Sequence, residues 1–208
     1  MKLAIFGGTG KTGQHLVKQA LNAGHAVTAL ARTPSKLALN NDKLHVVQGD
    51  ILDANCVAET IQGVDAVLSV LGPSDNKPTF TISQGMDHIL AAMQQHGVQR
   101  LIISAGAGVR DPQDKPGMID KVASIALNIL SKNVAADMKQ VVEKVRASDT
   151  QWTIVRVPML TDKPAQGTLK VGYVGDITPQ ISREDMAQFM LDQVANETYI
   201  RKAPAISN

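Results

Sequence analysis

Gly7, Gly10 and Gly13 stand at G-x-x-G-x-x-G spacing in the run Ile5-Phe6-Gly7-Gly8-Thr9-Gly10-Lys11-Thr12-Gly13. An apolar stretch, Leu3 to Phe6, precedes them and a helix-like one, Gln14 to Leu21, follows. Strand, glycine turn and helix in that order aim backbone N–H groups and a positive helix end at one point, which is the chemistry of phosphate binding. Gly7 ends the strand where the turn needs a φ closed to other residues. A Cβ at Gly10 would block a pyrophosphate, and Gly13 lets the helix pack close to the sheet. Thr9 and Thr12 can add hydroxyl donors, with Lys11 between them. Gly10-Lys11-Thr12 also looks like the end of G-x-x-x-x-G-K-[ST], but the first glycine of that motif would fall at Ile5. Nucleoside triphosphatase chemistry is therefore excluded, and the turn reads as a dinucleotide site.

A site for NAD usually carries Asp or Glu at the tip of its second strand, where the ribose 2′-hydroxyl binds. Here that strand ends Leu30-Ala31-Arg32, followed by Thr33-Pro34-Ser35-Lys36, with no carboxylate. Arg32 offers a planar fork for a 2′-phosphate and Lys36 a second charge, so the expected cofactor is NADP(H). After the third strand, Asp50 in Gly49-Asp50-Ile51 is placed to accept from the adenine amine, or to cap the next helix. Leu71-Gly72-Pro73, after the fourth, lets backbone approach the cofactor again.

These residues need a scaffold, and the hydrophobic pattern supplies one. Strand-length apolar runs occur at 26–31, 44–48, 66–71, 101–104 and 152–157. Helical patterns lie at 11–23, 54–61, 79–96 and 134–147, the first three followed by Gly24, Gly63 and Gly97. Near-continuous apolar strands imply a parallel sheet covered on both faces. The expected fold is α/β, a doubly wound parallel sheet (Rossmann fold) in a single domain over residues 1–208, with its ligand crevice at the strands' carboxyl ends. Segments 105–133 and 159–181 are expected to form a pocket or lid. Within the first, the apolar run 119–130 reads as a core-packing helix.

The net charge of +2 and the 3% of aromatic residues give no footing for nucleic acid. The lone Cys56 precludes an internal disulfide or a thiolate metal site, and reads as a small buried hydrophobe at a helix start. No apolar run is long enough to span a bilayer. Met1-Lys2 leads straight into the first strand, leaving no room for a signal peptide and predicting a cytoplasmic protein.

The chain resembles the atypical short-chain dehydrogenases/reductases, the group that includes biliverdin reductase B/flavin reductase and the NmrA-like or NAD(P)H-binding proteins. The resemblance rests on the glycine run, Ala31 to Lys36, Gly49 to Asp53, Ala66 to Gly72, Trp152 to Pro158 and Ile181 to Ala187. It implies that Pro158, Met159 and Leu160 line the nicotinamide. Carbonyl reduction in this superfamily uses a Tyr-x-x-x-Lys pair on the helix before strand six, where the lysine lowers the tyrosine pKa. The matching run here is Ala135-Ala136-Asp137-Met138-Lys139, with Lys139 kept and alanine in the tyrosine's place. Neither Tyr173 nor Tyr199 has a lysine four positions on. Ser104, at the end of strand five, lies near the expected catalytic hydroxyl; the alternative is that Ala105 holds that position and Ser104 neighbours the cofactor. Flavin reductases would carry a histidine near Met159. A flavin, quinone or biliverdin-like acceptor can take its proton from water, so the expected activity is NADPH-dependent reduction of such a planar molecule. The alternative is a non-catalytic NAD(P)(H) redox sensor. The expected assembly is a monomer or small homo-oligomer, without nucleic-acid or membrane partners.

Overall fold

The computed structural model describes residues 1–37, 39–72, 76–118 and 131–208. Its apolar runs form strands β1 (Lys2–Phe6), β2 (Ala26–Ala31), β3 (Leu44–Gln48), β4 (Ala66–Ser69), β5 (Arg100–Gly106) and β6 (Gln151–Val157). Helices α1 (Lys11–Asn22), α2 (Ala54–Ile61), α3 (Thr81–His96) and α4 (Lys132–Ala147) connect most of them. The chain then adds β7 (Met159–Thr161), β8 (Lys170–Gly172), β9 (Gln180–Ser182), helix α5 (Arg183–Asp192) and β10 (Ala205–Ser207).

The main sheet has strand order β3-β2-β1-β4-β5-β6-β10-β8. Its pairs are parallel except β10 with β8. The order reverses direction at β1, between β2 and β4, which is where a doubly wound sheet opens its crevice. One face buries Leu3, Ile5 and Leu68 against Leu16 and Val17 of α1 and Met186 and Met190 of α5. The other buries Ala4, Phe6 and Val67 against Ile89 and Met93 of α3 and Val141 and Val145 of α4. Alternation along β1 thus feeds both cores at once, which is why the strand reads as continuously apolar. Gly24, Gly63 and Gly97 take positive φ of 84°, 70° and 69° and terminate α1, α2 and α3.

The structure departs from the expected boundaries in several places. β4 stops at Ser69, so Val70 and Leu71 leave the strand early; β5 runs on to Gly106. Strands β7 to β10 and helix α5 were not anticipated: the strands are too short to show a period, and α5 is only weakly amphipathic. The run 119–130, expected as a helix, and Pro73 lie outside the described residues.

A buried ion pair anchors the chain after β5. Arg156 is fully buried at the end of β6 and binds Asp114 through both guanidinium nitrogens, at 2.7 and 2.8 Å. It also donates to the carbonyls of Val109 and Ala203 and lies over the Tyr173 ring. Asp114 further accepts from the Asp111 and Val174 N–H groups. Burial pushes its carboxyl up, but the bonds from Arg156 and the two amides outweigh this and hold it below the ordinary carboxylate value. One guanidinium thus joins the segment after β5, the turn after β8 and the chain entering β10.

Candidate functional site

Gly7 takes φ +84°, and a Cβ there would come within 2.9 Å of the Val70 carbonyl. The turn after β1 is therefore pressed against the chain leaving β4. A Cβ on Gly13 would lie 2.0 Å from the Gly7 oxygen, so no side chain can stand there without moving backbone. The close approach that Gly13 permits is to the turn itself rather than to a strand of the sheet. Gly10 is the N-cap of α1, has an ordinary extended φ of −74° and offers no side-chain cap; the first turn of α1 holds no acidic residue. The orphan N–H groups of that turn and its positive end are left for an external acceptor.

In front of this turn lies a cavity of about 320 Å³ along the carboxyl ends of β1, β2 and β4. Its floor is Phe6, Gly7, Thr9 and Gly10; its far end is Arg32, Gly49, Asp50 and Ile51; Leu71 and Gly72 form one side. Asp50 does not cap α2. Asp53 does, accepting from the N–H groups of Asn55 and Cys56. The Asp50 carboxylate, which also accepts from the Leu52 N–H, faces the cavity instead. Ile51 reaches its place because Gly85 of α3 has no side chain: a Cβ there would lie 2.2 Å from an Ile51 side-chain carbon. Cys56 is half-buried against the second core, in space that Gly49 leaves open.

The outer wall combines α3 and α4 in a way the sequence reading missed. It includes Lys77, Thr79, Thr81, Ile82, Asn133, Val134 and Asp137. Phe80, the α3 N-cap, sits in the left-handed region at φ 50° and offers no capping side chain. Asp137, from α4, caps α3 in its stead, accepting from the N–H groups of Ile82 at 3.1 Å and Ser83 at 2.8 Å. Asn76, before α3, in turn accepts from the Asn133 and Val134 N–H groups at the start of α4. The signal was present in sequence: Asp137 shares the helical face of Val134, Val141 and Val145, where a carboxylate must find donors.

Other residues singled out from sequence lie elsewhere. Lys36 lines a neighbouring cleft of about 330 Å³ with Gln14, His15 and Lys18. Thr12 is buried in the first turn of α1. Lys11 pairs with Asp162 at 2.9 Å, outside the cavity lining. Ser104 is half-buried near the end of β5, opposite Val155. Lys139 does not reach the cavity: its side chain is 76% exposed and lies 3.8 Å from Glu143 on the outer face of α4. Pro158, Met159 and Leu160 lie beyond the end of β6, with Met159 66% exposed and its N–H bonded to the Pro179 carbonyl. Tyr199 packs on Phe189, away from the cavity. Among the described residues there is no cluster that could hold a metal ion, and no helix is long and apolar enough to cross a membrane.

A family model described as NAD(P)H-binding matches residues 7–197, from the glycine turn to beyond α5. The chain belongs to the NAD(P)H-binding family. Within curated proteins it is similar to a 3β-hydroxysteroid dehydrogenase/Δ5→4-isomerase of Mycobacterium tuberculosis, 31% identical over 120 residues, or 52% of this chain. That match spans about a third of the relative's length, 32%. An oxidoreductase of Pestalotiopsis microspora is 27% identical over 91% of this chain and 78% of its own. Of solved structures, a short-chain dehydrogenase/reductase from Veillonella parvula in complex with NADP superposes with a TM-score of 0.83 at 18% identity, over 100% of this chain and 94% of that one. At that identity the likeness carries the fold alone, and it agrees with the strand order above. Family, fold and glycine turn together make this an NAD(P)H-binding protein of doubly wound α/β fold.

Proposed function

We propose that this protein is an NADPH-dependent oxidoreductase that reduces a planar acceptor, of flavin, quinone or biliverdin-like type, by direct hydride transfer without a Tyr-Lys pair. One observation carries the cofactor reading: Arg32 lines the cavity at the tip of β2, and no carboxylate follows that strand. A guanidinium there suits a 2′-phosphate, and a carboxylate would suit a free 2′-hydroxyl. The structural neighbour in complex with NADP supports a nicotinamide cofactor in general. The residues fit the group: Gly7 and Gly13 let the turn close tightly on itself and on the chain leaving β4, and the α1 N-terminus keeps donors for a diphosphate.

When bound, the reduced nicotinamide supplies a hydride. The chain's own work is positioning. The glycine turn would hold the diphosphate, Asp50 would accept from the adenine amine, and Leu71 and Gly72 would bring backbone against the ribose side. Ser104, the exposed Met159 and the partly buried Leu160 would border the acceptor. Ala135 stands where carbonyl reductases carry their proton-donating tyrosine, and Lys139 faces solvent. The acceptor must therefore be one that draws its proton from water. This reading takes the protein as cytoplasmic, a monomer or small homo-oligomer, acting on a small molecule. Purified protein with NADPH is expected to turn over flavin, quinone or dye acceptors. Tight NADPH binding with no turnover of any of the three would favour a redox sensor instead.

A further inference from the structure

The ion pairs beside the glycine turn are arranged unusually. Lys11, the first residue of α1, does not lean over the cavity. Its Nζ lies 2.9 Å from one oxygen of Asp162, which follows β7. The other oxygen of Asp162 accepts from Arg183, the first residue of α5, at 2.6 Å. The two cations differ in setting: the Lys11 side chain is 72% exposed and Arg183 only 19%. Asp162 itself is 61% exposed. Its carboxyl is held below the ordinary value by the bond from Lys11 first; desolvation opposes this, and the charges of Arg183 and Lys11 add to the lowering.

We propose that Asp162 is an internal competitor for Lys11: it pairs with the lysine while the glycine turn is free and yields it to the diphosphate of a bound dinucleotide. The proposal rests on the dinucleotide reading above. Three features carry it. The α1 N-terminus has neither a side-chain cap nor an acid in its first turn, and the carboxylate that Lys11 meets is Asp162, brought in from 151 residues away. An ion pair this exposed is weak and exchanges readily for a doubly charged partner beside a helix N-terminus. Arg183 stays with Asp162 after the lysine leaves, so the carboxylate keeps a partner throughout. Asp162 is thus a positioning residue. It sets affinity through Lys11 and touches no reacting atom. Because β7 continues β6 through Pro158, the same exchange ties occupancy of the turn to the segment carrying Met159 and Leu160.

The test is calorimetric titration of the full chain with NADPH and, separately, with inorganic pyrophosphate. Asp162→Asn is expected to bind both about three- to tenfold more tightly, since a nearby negative charge is removed and Lys11 is freed. The gain should shrink at high salt, which screens exposed charges. Asp162→Glu restores wild-type affinity, Lys11→Met binds more weakly, and Asp162→Asn placed in the Lys11→Met chain gains less than about twofold. Unchanged or weaker binding by Asp162→Asn overturns the proposal, as does an equal gain with and without Lys11. Should the wild-type chain bind neither NADPH nor NADH, the dinucleotide reading itself falls and this proposal with it. Wild-type binding with no Asp162→Asn effect removes this proposal alone.

Discussion

Asp137→Ala removes one of the contacts that join the two helices of the outer wall, the cap that α4 supplies to α3. The wild-type carboxylate takes two backbone N–H groups at the start of α3, and the side chain is 7% exposed. Alanine leaves both donors without a partner, and a buried unpaired N–H costs about 1–3 kcal/mol. The cavity borders this position, so water can reach part of the gap, which keeps the total near the low end, about 2–3 kcal/mol. For a chain of 208 residues this corresponds to a fall in Tm of roughly 4–12 °C. Asp137→Asn keeps one acceptor oxygen and should lose about half as much. Urea unfolding followed by Trp152 fluorescence gives the free energy, and calorimetry gives Tm. A loss below about 0.5 kcal/mol for Asp137→Ala would refute the claim that α3 depends on a cap supplied by α4. Since Thr81 and Ile82 line the cavity, the same variant should also bind dinucleotide more weakly.

Arg32→Ala is expected to weaken NADPH binding about 10- to 100-fold, the worth of a charge-assisted phosphate bond, and to leave NADH nearly unchanged; equal losses in titrations of the two cofactors would refute the 2′-phosphate assignment. Gly13→Ala forces backbone apart at the turn and should lower stability by about 1–3 kcal/mol and abolish dinucleotide binding, read by thermal unfolding and titration. Asp114→Ala leaves the buried Arg156 without its carboxylate and should cost about 3–5 kcal/mol in denaturant unfolding. The Asp114 carboxyl sits below its ordinary value in the folded protein. Its contribution is therefore complete above the ordinary carboxylate range and lost as pH falls through the lower folded value. Wild type should lose stability across that acid window more steeply than Asp114→Asn.

The inner half of the site was legible because its residues are fixed by backbone geometry. Gly7 and Gly13 are demanded by a positive φ and a 2.0 Å approach, and such demands leave a sequence mark. Arg32 and Asp50 were legible because a strand end fixes where the next residues fall. Lys36, expected as a second charge at the same tip, stands on the 3₁₀ turn Pro34–Leu37 and lines the neighbouring cleft. Lys139 matched a spacing, but a spacing does not say which helix face meets the cavity. Asp137 is two residues away and does face it. The apolar face of α4 shows that Asp137 needs donors, but its partners lie 54 and 55 residues away, and no local pattern says which they are. The β7–β9 pair and the antiparallel β8 edge likewise consist of three-residue strands set by tertiary contact.

The central claim is hydride transfer from NADPH to a planar acceptor on this chain. The most direct measurement uses NADPH deuterated on one face of its nicotinamide C4 and measures the deuterium retained in the NADP+ formed as flavin or quinone is reduced. Enzyme-dependent oxidation is expected to remove the label from one face only and to slow when that face is deuterated. Bound NADPH that stays unoxidised, or loses hydrogen from both faces equally, would contradict it.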